Sequence, residues 1–399
     1  MSVTLRRITI VAMCLAVVFS SSVPGMADDS STASEFESIV PFDSIGTLII
    51  VKATVNHDQE YRFLVDTGAG GALIDKKVAV ALNLQKVKEE QVTDALGVQE
   101  NGDKVILDSF RIGKFEFTQF QATVTDLSNL SDYGIRIDGI VGATFLKFFK
   151  VKIDYDRQQI SFSKQTNWPD KDERRYKMKL KTSPSGYIYA KFKLNHVHES
   201  FWGLVDTGAG GVSCLEAPLR YIEQLQPAFN CTVDNNSGMK AGLYGKSDSA
   251  CTRLFGMKIG KFQQKNLLVN FSGINEFIIN SQFLAHFTVI INYPVSEMVL
   301  IPNVQKKFET NRLYYGFLAM KDEGGKLRVI KVEENSPASI QGLKINDEIV
   351  SIALDNQPLQ LEDYFYLPND QIHTLHLNIR NQSGEREVII KGEWAFPEV

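Results

Sequence analysis

Seven residues occur twice, letter for letter: Val65-Asp66-Thr67-Gly68-Ala69-Gly70-Gly71 and Val205-Asp206-Thr207-Gly208-Ala209-Gly210-Gly211. In each copy an acidic side chain follows apolar residues and precedes a glycine that lets the backbone turn sharply. An aspartate held in this way presents its carboxylate from a rigid turn. One such carboxylate means little. Two of them, roughly 3 Å apart, cannot both ionise, so they share a proton and titrate as a unit. The ionised member can then act as general base on a water while the protonated member polarises a carbonyl, with no covalent intermediate. Asp66 and Asp206 are the candidate catalytic pair.

For two such turns to meet, the units that carry them must be duplicated, and the flanking sequence repeats as well. Asn56-His57 and Glu60 precede the first copy; Asn195-His196 and Glu199 precede the second. Period-2 patterns predict strands over Leu48 to Val55 and Tyr187 to Leu194. Downstream, Ile140-Val141-Gly142, Phe145-Leu146 and Val151-Lys152-Ile153-Asp154-Tyr155 are echoed by Ile278-Ile279-Asn280, Phe283-Leu284 and Val289-Ile290-Ile291-Asn292-Tyr293. Short helices are expected over Lys76 to Leu84 and Ala217 to Leu225. Ala95 to Asp103 and Asn235 to Lys246 are rich in Gly and Asn and read as hairpins, each a candidate flap over the motif.

These features resemble the aspartic peptidase superfamily, specifically retropepsin-like units in tandem, over about residues 41–302. The resemblance implies a mostly β fold of two duplicated acid-protease-type lobes. It also implies Asp66 and Asp206 as the catalytic aspartates, Thr67 and Thr207 as threonines bracing the pair across the lobe interface, and Gly68 and Gly208 as glycines whose N–H groups support the carboxylates. Two departures stand out. Asn280 replaces the glycine of the first half, a change tolerable at positive φ. Alanine (Ala69, Ala209) follows each Asp-Thr-Gly, and the absence of a hydroxyl donor there should raise the pair's pKa and favour mildly acidic to neutral working conditions.

From Leu313 the pattern changes. Tyr315-Gly316-Phe317-Leu318, then Ser336-Pro337-Ala338, Gly342-Leu343 and Asp347-Glu348-Ile349 resemble a PDZ domain of the kind attached to bacterial proteases. That resemblance implies a β-rich domain with short helices, a carboxylate-binding loop at Tyr315, Gly316, Phe317 and Leu318, and a short aromatic-rich groove helix near Leu361 to Leu367. Such domains take an extended peptide onto a sheet edge. The resulting division is a signal peptide over 1–27, a flexible segment over 28–40, lobe 1 over 41–168, lobe 2 over 169–303 and the PDZ-like domain over 304–399.

Arg6-Arg7, the apolar run Ile8 to Phe19 and the small residues up to Ala27 form the signal pattern, which directs the chain to the periplasm or outside the cell, or anchors it if uncleaved. In that oxidising setting Cys231 and Cys251 are expected to pair around a loop of about 20 residues, worth ~3 kcal/mol in the chain-entropy model. Cys214 reads as a small buried hydrophobe. A net charge of −4 gives no basic face, so nucleic acid is not expected as a partner. His196 and His198 lack a third ligand at suitable spacing, and neither metal nor cofactor is expected. Both aspartates lie on one chain, so a monomer suffices. The expected partners are protein or peptide substrates and a C-terminal peptide on the PDZ-like loop. The competing reading is a non-catalytic peptide binder that keeps the scaffold.

Overall fold

The computed structural model describes residues 12–13, 38–57, 59–166, 175–211, 213–225, 239–244, 246–248, 251–322 and 324–395. Most of the N-terminal signal pattern, the 167–174 stretch and Cys231 lie outside the described residues, so the Cys231–Cys251 pairing does too. Cys214 is buried and free. The fold is mostly β.

The first half builds an eight-stranded sheet in the order Asp43–Ile45, Leu48–Val55, Glu60–Val65, Gly139–Val141, Ala72–Asp75, Phe115–Thr125, Gln99–Ile112 and Lys88–Thr93. The strand leading to Asp66 runs parallel to Gly139–Val141, which is antiparallel to Ala72–Asp75, which is parallel to Phe115–Thr125. The second half repeats that sequence of pairings: Phe201–Asp206 parallel to Phe277–Asn280, antiparallel Leu215–Pro218, then parallel Phe262–Ser272. These strands carry near-continuous apolar runs because both faces are covered, as Leu48–Val55 shows with a single exposed residue, Lys52.

The two halves are stitched by one further stretch of sheet. Its order is Ser38–Pro41, Gln159–Ser163, Lys150–Asp154, Phe287–Asn292, Glu297–Pro302 and Tyr176–Thr182. The first three strands come from the first half and the last three from the second, arranged as mirror counterparts about the Lys150–Asp154/Phe287–Asn292 seam. Val151 and Ile153 there join the same core as Val289 and Ile291. A cluster of phenylalanines fills the first half, with Phe110 stacked on Phe120 at 4.5 Å and edge-on to Phe63 at 5.1 Å.

Two helical expectations are corrected. The first helix spans Lys76–Ala81, capped by Asp75 accepting the Lys77 N–H, and ends before Asn83 at φ 48°. Of the second, Leu215–Pro218 is a strand, with helical turns only at Leu219–Tyr221 and Ile222–Leu225. Sheet pairing of Leu215 to Pro218 with Val269 to Ser272 overrides the helical pattern there.

Residues beyond 312 form a separate apolar core (Leu327, Ile349, Leu375, Leu377, Ile379, Val388) under the strands Phe317–Lys321, Leu327–Val332, Glu348–Leu354, Thr374–Asn381 and Gly384–Lys391. Thr374–Asn381 alternates buried and open positions, as a one-face-covered antiparallel strand should. Ser336 caps the short Pro337–Ile340 helix by accepting the Ser339 N–H. The Leu361–Tyr366 segment is a 3-10 helix with a Gln360/Asp363 capping box. This unit packs on the first half: Met320 enters the cluster of Leu130, Tyr133 and Ile135, Phe365 meets Tyr133 at 6.3 Å, and Arg136 pairs with Glu362 at 2.9 Å.

Candidate active site

Each aspartate sits where a central parallel strand runs out into a turn. Asp66 Oδ1 accepts the Gly68 N–H at 2.8 Å. Asp206 Oδ1 accepts those of Gly208 at 2.8 Å and Ala209 at 3.0 Å. The glycines are required by contact rather than by backbone angle. A Cβ on Gly68 would stand 2.5 Å from the Asp206 carboxylate, and one on Gly208 would stand 2.3 Å from Asp66 Cγ. Each glycine thus packs against the opposite acid, and the two carboxylates are brought together.

Thr67 and Thr207 brace this arrangement. Thr67 Oγ1 donates to the Val205 carbonyl at 2.6 Å, and Thr207 Oγ1 donates to that of Val65 at 2.7 Å. Each hydroxyl also accepts the other residue's backbone N–H, both at 3.1 Å. Four buried bonds therefore tie the two turns across the interface.

Both aspartates are fully buried, at 0 % exposure. Burial, the neighbouring Asp206 carboxylate and its hydrogen bond hold the Asp66 carboxyl well above the ordinary aspartate range; the Gly68 and Ala69 N–H groups pull the other way. Such a pair retains one proton under conditions where isolated aspartates have lost theirs.

Asn280 corrects the expectation attached to it. Neither it nor Gly142 has positive φ: the values are −91° and −118°. Gly142 is fixed by crowding, since a Cβ there would lie 2.1 Å from the Ala69 carbonyl. Asn280 instead has room and uses it, donating to the Ser213 carbonyl at 2.7 Å and capping the Ser281–Leu284 helix through Phe283 N–H.

Two hairpins close over the turns. The first joins Lys88–Thr93 to Gln99–Ile112, and Asp94 organises its tip by accepting the Leu96 and Val98 N–H groups at 2.9 Å each. The second joins Met239–Ala241 to Lys246–Asp248. Asp94 Oδ2 accepts the Tyr244 N–H at 3.1 Å, and Leu243 is buried beside Leu48, Ile50, Ala69 and Val92. The two tips are joined directly.

The Asp-Thr-Gly motifs do not single out Tyr187, Tyr189 and Glu276. The repeat itself holds the signal: with Asn56 matched to Asn195, Tyr187 stands where the first half has Leu48. Tyr187 takes the Gly70 N–H and lies within the field of Asp66; burial, then that charge, push its phenol upward. It packs with Ala209 and Leu204, under Ala95 and Leu96 of the first hairpin tip. Glu276, half-buried and bonded to Tyr189, is raised by burial.

The loop residues Tyr315, Gly316, Phe317 and Leu318 belong to the C-terminal unit and line a cavity that Gly210 and Gly211 also line. Gly316 has φ 81° and touches Ser336. Among the described residues, no group of three His, Cys, Asp or Glu could hold a metal ion.

A family model described as aspartyl protease matches residues 51–145, a span that contains Asp66 but not Asp206. Among solved structures, a retropepsin-like aspartic protease from Rickettsia conorii is similar at 25% identity, over 32% of this chain and 89% of that one, with a TM-score of 0.24. No curated protein matches this chain. The stretch around Asp66 is thus similar to aspartyl proteases.

Proposed function

We propose that this chain is an aspartic endopeptidase with Asp66 and Asp206 as its catalytic pair. The observation that carries this reading is the meeting of two buried, hydrogen-bonded carboxylates, one from each half. A binding groove has no need of that arrangement, which costs desolvation and repulsion. In the proposed reaction one carboxylate takes a proton from water as its oxygen attacks the scissile carbonyl carbon. The protonated partner gives its proton to the carbonyl oxygen. The resulting gem-diol collapses: one hydroxyl gives its proton to the unprotonated carboxylate as the carbonyl re-forms, the C–N bond breaks, and the amine leaves with the proton held by the other carboxyl. Thr67 and Thr207 hold the turns, Gly68 and Gly208 orient the carboxylates, and the hairpins exclude water.

The Tyr315–Leu318 loop and its unit are read as PDZ-like, serving to bind substrate or partner peptide. Export to the periplasm or beyond, and action as a monomer, complete the proposal. Purified protein incubated with denatured casein, beside Asp66→Asn and Asp206→Asn, tests it. The wild type should cleave and both variants should lose at least about a thousandfold, as expected when a concerted acid–base pair is broken. Cleavage surviving either substitution sinks the assignment, and absence of cleavage by the wild type favours a peptide-binding protein on the same scaffold.

A further inference from the structure

The two aspartate-bearing turns have unlike surroundings. At one, Tyr187 covers Gly70 beside Asp66, beneath the first hairpin tip. At the other, its counterpart Leu48 lies against Gly210, where a Cβ would stand 3.4 Å from the Leu48 side chain. Leu48 and Gly210 there line a cavity of about 290 Å³ together with Phe317, Phe365 and Leu367 of the C-terminal unit, and its lining also includes the charged Glu309, Arg312 and Glu333. Gly210 and Gly211 follow Asp206 within one turn of chain, so the cavity is continuous with the loop that carries the second aspartate.

The start of the Phe317–Lys321 edge is already occupied. Tyr364 Oη accepts the Ala319 N–H at 3.2 Å and donates to the Phe317 carbonyl at 3.4 Å, satisfying the positions that an added strand would use. Its ring also stacks on Phe317 at 5.5 Å. At Phe317 and Ala319 a peptide finds no free edge positions beside the cavity.

We propose that this cavity is a distal subsite of the cleft, taking a large apolar side chain of an extended peptide several residues from the scissile bond. The C-terminal unit then contributes directly to substrate selection. This rests on the peptidase reading above.

Two peptides spanning one bond that the enzyme cuts in denatured casein test it. One carries about three residues on each side, roughly 10 Å of extended chain, and the other about eight; the longer bears leucine or phenylalanine at its outer positions. Wild type should prefer the longer peptide in kcat/KM by about tenfold, the low end for burying one large apolar side chain. In Leu367→Trp, which fills the cavity, that preference should fall toward parity. A reduced-amide version of the long peptide, with benzoylphenylalanine at its outer positions, should cross-link wild type at residues 313–318 or 364–369. Equal kcat/KM for the two peptides in wild type, or cross-links confined elsewhere, overturn the subsite. If wild type cuts no casein bond, the peptidase reading fails; the reduced-amide probe, then built on an arbitrary casein segment, still decides whether the cavity takes peptide.

Discussion

Thr67 and Thr207 hold each other, each hydroxyl accepting the other's backbone N–H at 3.1 Å while donating to a carbonyl of the opposite strand. Thr67→Val keeps the shape and removes the hydroxyl, leaving the Val205 carbonyl and the Thr207 N–H buried without their partner. The expected cost is about 2–4 kcal/mol, read as a lower urea midpoint. Thr67→Ser keeps both bonds and should stay within about 1 kcal/mol of wild type.

Asp66 makes stability depend on pH in a direction opposite to a salt-bridged aspartate. Its folded-state pKa is raised, by burial first and by Asp206 second, so the folded protein holds a proton that the unfolded chain releases. Stability from this group is present below the ordinary aspartate value, near 3.9, and declines as pH rises through the higher folded value. Asp66→Asn removes that dependence. Thermal melts should show the variant gaining on wild type at neutral pH, with the gain shrinking toward pH 3.

Asn280 and Gly142 should respond to substitution for different reasons. Asn280→Gly forfeits the bond to the Ser213 carbonyl and the cap on Phe283, at a cost of about 1–3 kcal/mol. Gly142→Ala drives a Cβ into the Ala69 carbonyl and should cost about 3 kcal/mol, with displacement of the first aspartate's turn. Denaturation midpoints for the two variants give the comparison, and peptidase activity should fall further in Gly142→Ala.

Asp94 joins one hairpin tip to the other and shapes its own turn. Asp94→Ala removes three hydrogen bonds at once, so hydrogen exchange at the Leu96 and Val98 amides should accelerate by about tenfold or more while strands such as Glu60–Val65 keep their protection.

The repeated motif made the aspartate pair legible in the sequence, because identical turns on alike strands can meet only about a symmetry axis. The threonine bonds follow from the same logic. Other features depend on contacts between distant segments and left no local trace. The role of Asn280 is set by space beside Ser213, and the strand at Leu215–Pro218 is imposed by its sheet neighbours. Tyr364 could be read as part of an aromatic groove segment, but its closure of the Phe317–Ala319 edge depends on the angle at which a 3-10 helix meets a strand. Tyr187 is marked in the repeat only as the residue that takes the place of Leu48.

If Asp66 and Asp206 act as one proton-sharing unit, the pH dependence of kcat/KM on a casein-derived peptide should show it. The profile should be a bell with two ionisations, the upper one above the ordinary carboxylate range because burial and the partner's charge hold the proton, with no measurable bell in Asp66→Asn or Asp206→Asn. A profile governed by a single ionisation at an ordinary carboxylate value, or one that survives in either variant, would contradict it.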